Sequence, residues 1–401
     1  MTMTSSSVAT LNTSTFEGLG TQQVHRAKAA PSFYKPELDI LRFFAFLGVF
    51  LVHSMEGYSI DFMVHHHIPL WAAKSGSSIV FAGMYGVDLF FVLSAYLITA
   101  LLLREKDARG DLNVRAFYLR RILRIWPLYY LFIALAALIP FLNPHHYFSM
   151  RYVLPFVFLM GNWSFIIFGI QKTVAMPLWS ISVEEQFYLF WPPLVARLSR
   201  RQIVFAAVIM ICVANIFRPF AAAMGQSRTQ LWMNSFFHLD SIAAGILLAV
   251  LWRGGALSLK IGKRIALVAS AVCCLVLRAH FAFGTTPSDE PVSLFGTLIG
   301  DPVVALACTA ILIGFIDLPF RSRVLQYLGK ISFGLYAYHL TGLLIVDKLL
   351  PGGDAGPIHA CLRIVFALGL TIAISATSYS ILERPFLNLK RRFTYIDSRP
   401  V

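Results

Sequence analysis

Apolar runs separated by short basic links dominate the chain. Stretches long enough to cross a bilayer as helices, about 20 residues each, fall at 38–56, 79–103, 122–142, 178–196, 202–218, 235–252, 264–280, 293–316, 331–350 and 358–382. An eleventh apolar stretch, 152–169, is interrupted by Pro155, Gly161, Asn162 and Gly169, residues that break or weaken a helix. Positive charge arbitrates between ten spans and eleven. Arg104, Lys106, Arg109, Arg115, Arg120 and Arg121 mark the link between the second and third spans as cytoplasmic, which puts the N-terminus inside as well. The later clusters Arg197/Arg200/Arg201, Arg253/Lys260/Lys263/Arg264, Arg321/Arg323/Lys330 and Lys390/Arg391/Arg392 all fall inside only if 152–169 does not cross. The pattern therefore predicts an all-α polytopic membrane protein with about ten transmembrane helices and both termini cytoplasmic. It leaves one re-entrant or external segment near 152–169.

Composition agrees. Of 401 residues, 57% are hydrophobic and 13% charged, against about a quarter charged in soluble proteins. A net charge of +14 would suggest nucleic acid in a soluble chain. Here the Lys and Arg residues sit between apolar runs, so the charge records topology and implies no nucleic-acid partner. Residues 1–35, rich in Ser, Thr and Ala, lack an apolar core long enough for a signal peptide and read as a disordered cytoplasmic tail. Residues 36–390 read as one membrane domain and 391–401 as a cytoplasmic C-terminal tail. The five cysteines lie singly or adjacent within apolar runs, as reduced structural residues do. His65, His66 and His67 are adjacent and cannot easily converge on one ion, so no metal site is expected.

Ionisable groups inside apolar runs are costly and mark candidate chemistry. In PELDILRFFAFLGVFLVHS (36–54), the step from Arg42 to His53 is three helical turns plus roughly 20°, and Asp39 lies one turn before Arg42. One face of this helix is therefore polar over roughly 16 Å at about 1.5 Å per residue. Such a stripe suits an active-site wall holding two ends of an extended substrate. In FYLRRILRIWPLYYL (117–131), Arg120 and Arg121 serve as an inside anchor, while Arg124 sits inside the apolar run. Guanidinium forks suit phosphate oxygens, which points to a cytoplasmic phosphate-bearing cosubstrate. In PLWSISVEEQFYLFWP (177–192), Glu184 and Glu185 point about 100° apart on a helix, so only one can face a given cavity directly. Asp88, Asp240, His339 and the Glu383-Arg384 pair are smaller signals of the same kind and read first as structural.

These blocks carry a resemblance. ELDILRFFAFLGVFLVHS, YGVDLFFVLSAYLIT, FYLRRILRIWPLYYL, PLWSISVEEQFYLFWP, HLDSIAAGILLA, ISFGLYAYHL and LERPF, in this order from about residue 36 to 390, resemble the acyltransferase 3 family of integral membrane acyltransferases. The resemblance implies transfer of an acyl group, most often acetyl, from acyl-CoA to a hydroxyl of a saccharide, lipid-linked glycan or glycosylated metabolite. It implies a multi-pass protein of a bacterial cell (inner) membrane, with acyl-CoA as cosubstrate and no permanently bound cofactor. The family's Arg and His with ten residues between them fall on Arg42 and His53, with His53 as the catalytic residue. Its basic motif falls on Arg120, Arg121 and Arg124, and the acidic position of its WSxSxE block on Glu184. A family His matches His339. Ala95 stands where many relatives have Gly, and no appended esterase-like domain is visible, which favours a stand-alone transferase.

In the mechanism these parts suggest, Arg120, Arg121 and Arg124 hold the CoA phosphates and the acyl arm passes Arg42 toward His53. His53 is then the general base on the acceptor hydroxyl, with transient acylation of His53 an equally compatible chemistry. Glu184 is expected to orient the imidazole or hold the acceptor. A transporter or glycan flippase, which would bind and release substrate without chemistry, is the alternative from a different class. The external segments encode no recognisable acceptor site, although Trp71, Trp163 and Tyr147 suit stacking on a sugar ring.

Overall fold

Each of the ten apolar runs lies on a helix or on a helix with its adjoining 3-10 or π turn. The computed structural model describes residues 33–55, 60–142, 148–171, 173–252, 259–283, 292–351 and 356–396, without the side chains of 139–142 and 283. Nearly all of the expected N-terminal tail, the end of the C-terminal one and Tyr147 lie outside the described residues. All regular structure among the described residues is helical. In chain order the helices are α1 (Pro36–Ser54), α2 (Ile60–His65), α3 (Leu70–Ala82), α4 (Gly86–Arg109), α5 (Val114–Leu142), α6 (Met150–Val157), α7 (Gly161–Phe168), α8 (Leu178–Arg197), α9 (Arg200–Ala223), α10 (Arg228–Met233), α11 (Leu239–Leu251), α12 (Ile261–Phe283), α13 (Asp301–Phe315), α14 (Arg323–Lys330), α15 (Ser332–Leu349), α16 (Pro357–Ser378) and α17 (Arg384–Lys390).

Six stretches among the described residues are long and apolar enough to cross a membrane: Leu70–Arg109, Val114–Leu138, Arg200–Ala223, Ile261–Ala282, Gly296–Phe315 and Pro357–Phe393. The protein is thus a multi-pass, all-helical membrane protein. The other four runs fall on α1, α8, α11 and α15. Three of these carry Arg42 and His53, the Glu184-Glu185 pair and His339, and the fourth is only 13 residues long.

Burial sorts the helices by radius. Of the apolar window in Leu70–Arg109, 78% is inside the molecule, against 22% for α12 and for the stretch containing α16. Exposed Phe205, Phe217, Ile265, Phe281, Ile358 and Val365 line the outer surface, where lipid is the solvent. Helix α4 is the central post, with α1, α8, α11 and α13 packed around it. Helix α1 approaches through small residues: a Cβ on Gly48 would sit 3.0 Å from the Gly83 Cα, at the turn leading into α4. Backbones that close give dispersion contacts between helices that the hydrophobic effect cannot supply in lipid.

Two segments expected as links have structure of their own. The stretch 57–78 carries α2 and α3, and α3 runs through a 3-10 turn at Gly83–Tyr85 into α4. Its small buried residues Ala73, Ser77 and Ser78 let it pack on α12, with Ser78 Oγ 2.9 Å from His280 Nδ1. The interrupted stretch 152–169 forms α6 and α7, eight residues each, separated where Leu159 adopts a φ of 59°. At about 1.5 Å per residue each is roughly 12 Å long, well short of a hydrocarbon core of about 30 Å. Side chains fasten the pair to its neighbours: Tyr129 donates to the Phe156 carbonyl, Gln186 to the Leu159 carbonyl and Asn162 to the Met233 carbonyl.

Candidate active site

The polar stripe of α1 faces the interior. Glu37 and Asp39 occupy its first turn, where carboxylates complement the helix dipole. Asp39, 2% exposed, accepts from Arg42 at 2.9 Å and from the Tyr34 hydroxyl at 3.0 Å, so Arg42 is held by its own helix one turn back. A buried carboxylate on one side of the guanidinium leaves its other edge to face the space beyond.

That space is a set of three small adjoining cavities. The first, about 80 Å³, is lined by Arg42, Ser94, Arg121, Arg124, Glu184 and Tyr188, and by Ser180 and Tyr336. The second, about 40 Å³, shares Arg42, Ser94, Arg121, Arg124 and Tyr188 with it and extends past Leu97 to Leu101. The third, about 30 Å³, shares Arg121 and Arg124 and adds Arg120, Glu105 and Lys390. Three helices thus bring five sequence-selected residues to one connected space: α1 gives Arg42, α5 gives Arg120, Arg121 and Arg124, and α8 gives Glu184.

Each of these groups is fixed differently. Glu184 accepts from Ser94 Oγ at 2.9 Å and from the hydroxyl of Tyr188, one turn on, at 3.1 Å. Its neighbour Glu185 turns away to the Trp126 indole at 3.1 Å, so only the first of the pair reaches the cavity. Arg121 lies over the rings of Phe117 and Tyr188, at 5.4 and 5.3 Å, a cation–π setting that positions the guanidinium without consuming its N–H groups. Arg120 pairs with Glu105 at 2.9 Å and donates to the Phe393 carbonyl. Positive charge exceeds negative around the connected space, which favours an anionic occupant.

His53 is not among the residues lining these cavities. One face of its helix carries it past Arg42 to α15, where its ring centroid lies 5.2 Å from that of His339. His339 is fully buried, and its Nδ1 is 2.7 Å from the Tyr336 carbonyl. A carbonyl only accepts, so Nδ1 carries the proton and the lone pair is at Nε2, an atom with no hydrogen-bond partner among the described residues. Tyr336 in turn lines the largest of the three cavities and shares a 2.8 Å hydrogen bond with Ser180. His53, His339 and Tyr336 therefore lead stepwise to the arginine-lined space. Among the described residues, no group of three or more His, Cys, Asp and Glu side chains is placed to hold a metal ion.

Sequence reasoning gave His339 only a structural role and passed over Ser94, Tyr188 and Tyr336. The spacing of Tyr188 four residues after Glu184 carried a signal for one of these contacts. Ser94 and Tyr336 carried none, because their roles arise where separate helices meet.

Proteins similar to this chain carry O-acetyltransferase names. A "Putative O-acetyltransferase" of Staphylococcus aureus is 25% identical over 373 residues, covering 88% of this chain and 57% of the relative. The "Putative peptidoglycan O-acetyltransferase YrhL" of Bacillus subtilis is 27% identical over 376 residues (88% and 55%). The "Peptidoglycan O-acetyltransferase OatA" of Listeria monocytogenes is 24% identical over 372 (88% and 56%). The chain thus spans little more than half the length of these relatives. No solved structure matches it. The family model described as an acyltransferase domain matches residues 35–380, which contain Arg42, His53, Arg120, Arg121, Arg124, Glu184 and His339 but not Lys390, and the chain belongs to the acyltransferase 3 family.

Proposed function

We propose that the protein is a membrane O-acyltransferase that moves an acyl group, acetyl in the simplest case, from acyl-CoA to a hydroxyl of a saccharide. The observation that carries this reading is the convergence of Arg42, Arg121, Arg124 and Glu184 on one cavity, with His339 and Tyr336 leading from it to His53. Family membership favours acyl transfer over the transporter reading, and the names of the relatives favour a glycan acceptor.

Arg120, Arg121, Arg124 and Lys390 line the small cavity nearest the end of α4 and bind the donor's phosphates, as guanidinium forks do. The thioester arm passes Arg42. His53 takes the proton from the acceptor hydroxyl as its oxygen attacks the thioester carbonyl. The new C–O bond forms, the C–S bond breaks, and His53 returns the proton to the departing CoA thiolate. Glu184, held by Ser94 and Tyr188, fixes the charge around Arg42 and Arg121 rather than orienting the imidazole. In this reading the chain crosses the bacterial inner membrane ten times with both ends cytoplasmic, and α6 and α7 do not cross. The arginine cavities then open toward the cytoplasmic donor and His53 lies toward the outer end of its helix.

The test is transfer of labelled acetyl from acetyl-CoA to envelope and medium material, using membranes containing wild type or His53→Ala at matched protein levels. Transfer by wild type and retention of label on CoA by the variant is the expected result. Equal transfer by both would remove His53 from the chemistry, and an acetyl-CoA pool left intact by wild-type membranes supplied with glycan would remove acyl transfer.

A further inference from the structure

A second cavity, of about 620 Å³, lies on another side of the start of α4 and shares no lining residue with the three described above. Asp88, in the first turn of α4, lines it, whereas its neighbour Val87 lines the largest of the arginine cavities, and successive residues of a helix point about 100° apart. A thin aromatic layer divides the two regions: the His238 ring packs on Phe91 at 4.9 Å, and Phe91 faces the arginine cavity.

Its polar wall is built from α4, α9, α11, α12 and α13, with the end of α10 and the turn that leads from it into α11. Asp88 Oδ1 accepts from Ser241 Oγ at 3.1 Å and meets His238 Nδ1 at 3.0 Å, while the other ring nitrogen of His238 is 2.6 Å from the Trp232 carbonyl. The Ser241 amide donates to Asp240 at 2.8 Å, and Asp240 pairs with Arg218 at 2.8 Å. Arg218 also donates to the Phe237 carbonyl and lies 3.7 Å from Asp301, which pairs with Arg278 at 2.8 Å. Gly245, one turn on from Ser241, lets α11 lie against the Val92 carbonyl of α4, so that Asp88 and Ser241 come within bonding distance.

This network is nearly closed but not quite. Arg218, 6% exposed, keeps Nη1 without a partner among the described residues, as Arg278 does Nε, and Asp88, 4% exposed, keeps Oδ2 without one. The first two are charged donors and the last a charged acceptor, and all three residues line the same cavity. Buried charged groups left unsatisfied are costly, which points to an occupant that satisfies them together. Arg218, Arg228 and Arg278 are matched in the lining by Asp88, Asp240 and Asp301, so the arginines leave no excess of positive charge to draw an anion, and an anion has no proton to donate to Asp88. A hydroxylated, uncharged group accepts from the arginines and donates to Asp88. The remaining wall is apolar and aromatic, and at its edge Leu277, Phe281, Phe295 and Ile299 are exposed toward lipid.

We propose that this cavity holds the saccharide head of a glycosylated amphiphile whose apolar part leaves between α12 and the start of α13. The cavity is then the acceptor site, which rests on the acyl-transfer reading. Its volume falls in the usual range for small-ligand sites, about 300–1,000 Å³.

The test uses the full chain in phosphatidylcholine nanodiscs with radiolabelled octyl glucoside as the probe. Octyl phosphate, decanol and free glucose serve as competitors, and binding of acetyl-CoA is measured in parallel. Saturable binding, displaced by unlabelled octyl glucoside and poorly by the three others, is expected. Asp88→Asn should weaken it roughly tenfold or more, as loss of a charged hydrogen bond does, with acetyl-CoA binding kept. Leu277→Trp, at the exposed mouth, blocks the cavity without touching the polar network, and should weaken binding similarly even if Asp88→Asn fails to fold. No saturable binding by wild type, better competition by octyl phosphate than by octyl glucoside, or unchanged binding in Leu277→Trp would each overturn the proposal. Binding that both variants weaken, in a protein that transfers no acetyl, would uphold the site while removing the acyl-transfer reading. Acetyl transfer to a glycan that neither variant slows would do the reverse.

Discussion

Two sides of α4 treat arginine in opposite ways. On one, Arg42, Arg121 and Arg124 meet in narrow cavities where arginine outnumbers carboxylate, and Arg121 is steadied by aromatic rings. On the other, Arg218 and Arg278 are interleaved with Asp240 and Asp301 around a far larger space. Arginine in excess of carboxylate attracts an anion. Arginine matched by carboxylates shapes a wall, and what it leaves over is two donors beside the one acceptor of Asp88. In a membrane interior, the balance of partners around a guanidinium says more about its task than its presence does.

Substitutions on the two sides should therefore separate kinetics from stability. The largest effect is expected at the residue to which the arginine-lined side leads: His53→Ala lowers acyl transfer by about 10²–10⁴-fold, the usual worth of a general base, with thermal stability in detergent close to wild type. A melting temperature that falls with activity would return His53 to a packing role.

Next is Arg218→Leu, which strands the buried Asp240 near Asp301, itself still paired with Arg278. Breaking a buried pair on one side costs about 3–5 kcal/mol, and the loss should be visible as a lower unfolding midpoint in detergent-solubilised protein. Adding Asp240→Leu should recover part of it. If the double variant is as unstable as the single one, the pair is not what Arg218 serves.

Arg124→Ala should raise KM for acetyl-CoA roughly 10–100-fold, the worth of charged hydrogen bonds at about 1.5–3 kcal/mol. The same variant should react with acetyl-pantetheine, which lacks the phosphates, no worse than wild type does. Equal losses with both donors would mean that Arg124 acts on the arm or the fold and not on phosphate.

The smallest contrast lies within one dipeptide. Glu184→Gln should slow transfer about tenfold by removing the negative charge among Arg42, Arg121 and Arg124, while Glu185→Gln, whose carboxyl accepts from Trp126 outside the cavity, should stay within about threefold. Similar losses for both would show that either charge alone serves the site equally.

The apolar runs that lie on helices, the polar face of α1 and the divergence of Glu184 from Glu185 were legible in the sequence, whereas α2 and most of α3 fall where a link was expected. They depend on helical periodicity and on the cost of charge in an apolar run, both local properties of the chain. The stretch 152–169 was legible as interrupted, and its two short helices follow from Pro155 and Gly161. Tertiary structure decided which polar groups meet. Nothing local to ISFGLYAYHL places His339 against His53, since that contact depends on how α15 lies along α1. Nothing local to FHLDSIAAG, or to Arg218, 22 residues before Asp240, shows that Asp240, Arg218, Asp301 and Asp88 share one cavity, because four chain-distant segments must converge to build it. Periodicity determines which face of a helix is polar, whereas the partner for that face is set by packing between helices, through close approaches such as Gly48 on Gly83 and Gly245 on α4.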